Sequence, residues 1–459
     1  MRLSLIESVS PNIYLNRELL MVDISTLFLC IAPVLNRTLL KQLAIIAEAL
    51  FCMNGRVTML GISRWSGKGG SYRTIQRFYN SVIPWCNVQW LFIRHHLLDG
   101  DDTILIAADE TTVTKSGKST CGLGRFFSSI YNRAVPGLGF FSISLISVKR
   151  QKAYPVLMEQ LDPAQKRETK GGNQQKKKSG QRGRPKGSRN RNHREVELSA
   201  YLIWIQSLIR KIMTLIGGEL RAIYFVYDGA FGNNPCLQMT KQCGLNLISK
   251  LNCNSALYFP YDGPYSGRGP YRKYGDKLNY SQIPGEYLIK SSTEDNIITE
   301  IYQMMVWHKS FPRQLNVTVI RKVNLSKGKE GRVILFSSDP DLAAENMILY
   351  YRLRFQIEFT FRDAKQHWGL EDFMNVKEQS VKNAANLAMF MVNCSQAHGR
   401  TIPLRTQFSV NDIKARFHAY FYIRALLKKT PQIEDPVFIR QLYENAESVG
   451  AIHQQLKAA

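Results

Sequence analysis

The sequence predicts an α/β fold, a mixed sheet covered by helices. Three observations predict it. Two short apolar runs rich in strand formers, Thr103 to Ala108 (TILIAA) and Ala222 to Tyr227 (AIYFVY), each lead into an aspartate, Asp109 and Asp228. Helical patterns alternate with further strand candidates around them. A late segment, Tyr350 to Gly369 (YYRLRFQIEFTFRDAKQHWG), reads as a helix whose Leu353, Phe355, Ile357, Phe359 and Phe361 are too bulky for a solvent-bathed element.

The elements follow in order. Residues 1–95 read mostly as helices: Leu39 to Phe51 carries a helical apolar stripe, and Thr58 to Trp65 and Tyr72 to Asn80 flank a glycine-rich turn. That pair suits a helix-turn-helix with Arg73, Gln76 and Arg77 on the exposed face, residue types that read base edges; a small bundle that only packs gives the same pattern. After Asp109 come strand candidates Gly139 to Val148 and Ala153 to Leu161, then a helix from Glu195 to Leu215 ahead of the strand that ends at Asp228. Asn234 to Cys243 reads as a helix and Leu245 to Leu251 as a strand. Gly285 to Ser291, Met304 to Trp307 and Leu315 to Ile320 are strand candidates in a turn-rich stretch, and the chain from Thr401 looks helical. The expected divisions are 1–95, 96–250, 251–338, 339–400 and 401–459.

Charge narrows the partners. Sixty-one Lys and Arg against thirty-six Asp and Glu leave a net charge of +25, an imbalance that calls for a polyanion. The longest apolar region, Leu19 to Leu35, is interrupted by Asp23 and Pro33 and is too short for a span, so a membrane is not expected. The eight cysteines form no CxxC pair, and with no secretory leader in view they are expected as reduced thiols of a cytoplasmic protein. Basic charge concentrates in residues 166–194, which hold twelve Lys or Arg and one acid and have too few apolar residues to fold alone. Within it, Arg182-Gly183-Arg184-Pro185-Lys186-Gly187 resembles an AT-hook, whose arginines enter a narrow minor groove; a solvated loop is the plain alternative.

On a helix at 100° per residue, Tyr351, Arg354, Glu358 and Lys365 fall within an arc of about 60°. A carboxylate on a largely buried helix is either paired or holding a metal ion. Arg354 and Glu358 also have the i,i+4 spacing of an ordinary helical ion pair.

The spacing Tyr-x2-Arg-x3-Glu-x6-Lys resembles the Tyr-Arg-Glu-Lys signature of bacterial insertion-sequence DDE transposases. The segments Ala108 to Gly124 and Tyr227 to Asn234 resemble the first and second aspartate motifs of those enzymes, and Gly267 to Gly275 (GRGPYRKYG) resembles a basic loop of related ones with its core rearranged. The resemblance implies an RNase H-like mixed sheet flanked by helices, with a β-rich insertion at 251–338 and a helical N-terminal DNA-binding domain. It implies Asp109, Asp228 and Glu358 as catalytic metal ligands for two Mg²⁺ or Mn²⁺ ions. Two such ions about 3.5–4 Å apart activate the nucleophile and stabilise the departing oxygen, and hard cations favour carboxylate oxygens. It implies DNA contacts by Tyr351, Arg354 and Lys365, the arginine as a fork and the lysine as a point charge.

Lys115 and Lys118 in the loop after Asp109, Arg182 and Arg184, Arg73 and Arg77 are further candidate DNA contacts. Trp307 is a candidate for stacking on a displaced base, although a lone tryptophan is more often core. The partner is then double-stranded DNA, both element ends and target, met as a homodimer in a cytoplasmic, nucleoid-associated setting. A nuclease or resolvase without strand transfer, or an inactive DNA-binding repressor, would share these residues.

If residues 166–194 clamp DNA, deleting them weakens binding and lowers the salt slope by about 0.9 for each phosphate that is no longer neutralised. Unchanged affinity and an unchanged slope in a salt titration would remove the clamp.

Overall fold

The computed structural model describes residues 24–67, 69–128, 131–162, 195–220, 222–265, 267–401, 409–430, 435–446 and 449–452. Arg182 and Arg184 lie outside these residues. The described helices are α1 (Ile24–Leu27), α2 (Arg37–Cys52), α3 (Met59–Trp65), α4 (Tyr72–Asn80), α5 (Trp85–His96), α6 (Ala200–Ile216), α7 (Asn234–Gln242), α8 (Ala344–Leu353), α9 (Gln356–His367), α10 (Glu378–Thr401), α11 (Val410–Leu427) and α12 (Pro436–Ala446). The strands are β1 (Ile104–Thr114), β2 (Gly124–Ser128), β3 (Arg133–Ser147), β4 (Lys152–Gln160), β5 (Tyr224–Val226), β6 (Asn246–Leu251), β7 (Leu257–Pro260), β8 (Tyr274–Lys277), β9 (Leu288–Glu294), β10 (Ile297–His308), β11 (Leu315–Asn324) and β12 (Lys329–Ser337).

The chain divides into two compact units. One, residues 99–116 and 122–359, is built on a twelve-stranded mixed sheet in the order β2-β3-β1-β5-β6-β12-β11-β10-β7-β8, with β4 also paired to β3 and β9 to β10. β1 runs antiparallel to β3, β3 to β4, and β5 and β6 run parallel to β1 and to each other. Ile104 to Ala108 are buried throughout, which a strand achieves only when both sheet faces are covered. The stretch 251–338, expected as a β-rich insertion, holds strands β7 to β12, which extend the same sheet: β12 pairs with β6 from Ile334 opposite Leu251 to Ser337 opposite Ile248.

Several expected boundaries move. The strand through TILIAA runs on to Thr114, so Asp109 sits inside β1 and not at its end, because Asp109 to Thr114 keep antiparallel partners from Ser142 to Gly137. The helix expected from Glu195 starts at Ala200: Ser199 caps it by accepting from the Leu202 N–H, and the residues ahead of the cap are taken up by other bonds, Val196 exchanging two with the Gln238 side chain. It ends at Gly217, whose φ of +61° suits the left-handed cap.

The expected single helix Tyr350 to Gly369 is two. α8 closes at Leu353, and the joint is held by tighter i,i+3 bonds, Phe355 N–H to Arg352, Ile357 N–H to Arg354 and Glu358 N–H to Phe355. One stripe along a straight cylinder is therefore not the arrangement, and Phe355, expected inside, is 47% exposed at the joint.

The other unit, residues 1–98, 117–121 and 360–459, is helical where described. The expected division into separate regions at 1–95, 339–400 and 401–459 does not hold for its packing. α10 runs through it, Asn383 accepting from the Trp85 indole N–H at 2.8 Å and donating to the Tyr79 and Ser81 carbonyls, so the first and last thirds of the chain share a core. Phe51 stacks on Phe417 at 4.7 Å, and buried His398 lies against both rings. α3 and α4 carry the expected turn between them, with Ile75, Phe78 and Tyr79 buried and Arg73, Gln76 and Arg77 exposed. Among the described residues no helix is long and apolar enough to cross a membrane.

Acid should loosen the helical unit. Burial, with the Arg416 charge adding, holds the His398 imidazole down to about 4. As pH falls from about 6.5 towards 4 the unfolded chain takes a proton that the folded unit refuses, a loss of up to about 3 kcal/mol. His398→Phe, set among phenylalanines, should retain that stability in melts at pH 5 while differing little at pH 7.5. Equal losses in both proteins would show that another group is responsible.

Candidate functional site

Strand register builds the site. In the parallel pair β1 and β5, Ile106 is level with Phe225 and Ala107 with Val226, so two residues further on Asp109 comes level with Asp228, just past the end of β5. Neighbouring strands lie about 4.8 Å apart and alternate residues share a face, which puts both side chains on the same side of the sheet. Their backbones are held locally. The Glu110 N–H donates to Asp109 Oδ1 at 2.8 Å; the Asp228 carboxylate accepts from the Ala230 N–H at 3.0 Å, and the Ser249 hydroxyl donates to the Asp228 carbonyl at 2.6 Å. Gly232 in the same turn has no room for a side chain, since a Cβ there would meet the Lys250 carbonyl oxygen at 2.3 Å.

Arg354 and Glu358 arrive from the joint between α8 and α9. Arg354 Nη1 donates to Asp109 Oδ2 at 3.1 Å, and Nη2 stands 3.6 Å from Glu358 Oε1. The guanidinium also lies 5.9 Å from the Tyr351 ring. Burial pushes the Asp109 carboxyl up to about 6; the Glu110 N–H and the Arg354 charge oppose this, and the negative charges of Asp228 and Glu358 reinforce it. Three acids thus act on one place. Burial also raises the Tyr351 hydroxyl, with Arg354 opposing and Asp228 adding. As the side chains stand, no three His, Cys, Asp or Glu among the described residues are drawn up as a ready metal-binding group. The donor set still fits a hard cation: oxygen ligands only, mutually repelling, Asp109 and Asp228 half-buried and Glu358 exposed, with Asp109 and Glu358 already turned to a shared positive charge.

The opposite face of β1 contributes a support that sequence reasoning missed. Glu110 points away from Asp109, and the Tyr201 hydroxyl of α6 donates to its carboxylate. Tyr227, buried and stacked near Phe141, belongs to the same group, and Trp204 packs on Phe141 at 5.5 Å. No spacing in the sequence links Tyr201 to Glu110. Only the sheet's alternation and the position of α6 reveal it.

The remaining candidates are placed as follows. Lys365 falls in the helical unit, where its Nζ pairs with Glu371 at 3.2 Å. Lys115 is half-buried at the end of the sheet strand and Lys118 is exposed in the helical unit. Trp307 is half-buried: Lys273 lies over its ring at 5.6 Å, Tyr274 packs edge-on at 5.9 Å, and it lines a cavity of about 670 Å³ with Lys241, Lys273, Arg313 and Gln238. Arg272, in the basic loop, stacks on Tyr261 at 4.8 Å.

Comparison with known proteins places the chain in a class. The family model described as DDE superfamily endonuclease matches residues 30–308, more than half of the 459 residues, and the chain belongs to that family. The matched stretch includes Asp109 and Asp228, while Glu358 lies beyond it. Among solved structures it is similar to the piggyBac transposase synaptic complex with hairpin DNA, seen by cryo-EM, at 10% identity and a TM-score of 0.38, covering 92% of this chain and 78% of that one. No curated protein matches it.

The acid cluster should cost stability. Asp109 ionises near 4 when unfolded and at about 6 when folded, so folding is penalised increasingly as pH rises through that window and fully above it. Asp109→Asn should therefore stabilise the metal-free protein at pH 7.5 by about 1–3 kcal/mol. Thermal unfolding in chelator tests this; a lower melting temperature would mean that the carboxylate's pairing with Arg354 outweighs its burial.

Proposed function

We propose that the protein is a DNA transposase that binds terminal inverted repeats, cleaves phosphodiester bonds at the ends of its element and transfers the freed 3′-hydroxyl to target DNA. The observation that carries this reading is the half-buried Asp109 carboxylate under the joint influence of Asp228, Glu358 and Arg354. Membership of the DDE superfamily endonuclease family supports the cleavage chemistry. The order β4-β3-β1-β5-β6, antiparallel in its first three strands and parallel thereafter, supports an RNase H-like core.

Asp109, Asp228 and Glu358 would hold two Mg²⁺ or Mn²⁺ ions. When bound, such ions lower the pKa of the attacking water or hydroxyl and stabilise the leaving oxygen. The rest falls to the protein's own groups. Glu110, anchored by Tyr201, fixes β1 behind Asp109; the turn at Asp228 to Phe231 fixes the second carboxylate; Arg354 and Tyr351 face a phosphate next to the scissile bond. Lys115, Lys118, Lys365, Arg73, Arg77, Trp307, Arg182 and Arg184 are proposed DNA contacts. We further place the protein with the bacterial insertion-sequence enzymes that carry the Tyr-Arg-Glu-Lys signature, acting as a homodimer on DNA in the cytoplasm.

A plasmid excision assay tests the reading. Asp109→Asn, Asp228→Asn and Glu358→Gln should each lower excision by roughly 10³-fold or more while gel shifts on element ends stay unchanged. Wild-type cleavage without joining would indicate a nuclease, and tight site-specific binding without cleavage a repressor. Retained excision in Asp109→Asn would remove the assignment altogether.

A further inference from the structure

We propose that Arg354 is a built-in counter-ion of the carboxylate site, which a DNA phosphate must draw away before divalent cations can load. The inference rests on the metal-binding reading above and concerns how that site is controlled. Arg354 places Nη1 at 3.1 Å from Asp109 and Nη2 at 3.6 Å from Glu358, so its positive charge occupies the position from which both carboxylates would address a cation. A divalent ion approaching the same two groups meets a like charge a few ångströms away, weakly screened on the Asp109 side, where the arginine side chain is 13% exposed and that of Asp109 20%, while Glu358, at 44%, stands open to solvent.

The guanidinium is not fully satisfied where it lies. Its Nε is buried and has no hydrogen-bond partner, and the Glu358 contact is longer than a hydrogen bond. A guanidinium has five N–H donors in a fixed fork, and a phosphodiester presents acceptor oxygens that match that fork. Exchange of carboxylates for a phosphate therefore improves the arginine's bonding and at the same time frees Asp109 and Glu358. The residue sits at the i,i+3 joint between α8 and α9, next to the ligand it would release. The consequence is reciprocal coupling, in which bound DNA raises metal affinity and metal raises DNA affinity by the same factor. Ions would then be loaded where a strand is already in place.

Mn²⁺ binding to the full-length protein, read by the electron paramagnetic resonance of free Mn²⁺, tests this without any turnover. In the absence of DNA, Arg354→Gln should bind Mn²⁺ roughly ten-fold or more tightly than wild type, and Arg354→Lys, which keeps the charge, should stay near wild type. Asp109→Asn added to Arg354→Gln should abolish the gain, which ties it to this site and shows that the tighter binding comes from a folded protein. Equal or weaker Mn²⁺ binding by Arg354→Gln, with excision still dependent on Asp109, would overturn the counter-ion role and leave the transposase reading standing. If neither Mn²⁺ binding nor excision depends on Asp109, the metal site itself is misplaced and both fall together.

Discussion

Two aspartates side by side on parallel strands repel each other, and the site depends on how that repulsion is contained. The β1 and β5 register leaves no freedom in the matter, because the pairing of Ala107 with Val226 carries Asp109 and Asp228 to the same level and the same face. Glu358 adds a third negative charge. Asp109 is half-buried, where a carboxylate needs a positive charge beside it, and Arg354 is where the fold supplies it while also reaching towards the exposed Glu358. Burial pushes the Asp109 carboxyl up to about 6, and the negative charges of Asp228 and Glu358 add to that despite Arg354, so further positive charge beside it would favour its ionised form.

The surrounding architecture makes that arrangement rigid on one side and adjustable on the other. Beneath Asp109 the strand is buried on both faces and is tied through Glu110 to Tyr201, so the first carboxylate has little room to wander. Asp228 is held by a turn that accepts only glycine at position 232. Arg354 and Glu358, by contrast, come from a joint between two helices, where tightened turns interrupt the regular ladder. Fixed aspartates and a joint-borne arginine and glutamate are a workable division for the ion- and DNA-binding site proposed above.

The sheet does more than carry the carboxylates. Strands β7 to β12 extend it far beyond the core, and its outer part bears tyrosines and Trp307 with Arg272, Lys273 and Lys309 laid over aromatic rings. Such pairs offer stacking faces and positive charge together, the combination that suits bases and phosphates. The helical unit presents Arg73 and Arg77 on the exposed side of α4, while its buried side joins helices from both ends of the chain.

What the sequence determined by itself was local: which runs are strands, where the helices begin to repeat, and which acids end or punctuate apolar segments. Period-two and period-3.6 patterns report burial of one face, and that is enough to find β5, α2, α4 and α7 within a few residues and the start of β1. Asp109, Asp228 and Glu358 were singled out because their residue types and order resemble a known family's motifs. Tertiary structure decided the rest. Whether TILIAA stopped at Asp109 depended on partners in β3, and the break at Arg354 depended on packing that a helical wheel does not contain. The contacts of Arg354 with Asp109 and of Tyr201 with Glu110 join residues 245 and 91 positions apart. No local pattern encodes such pairs, because they arise only when strand register and helix placement bring distant side chains to one point.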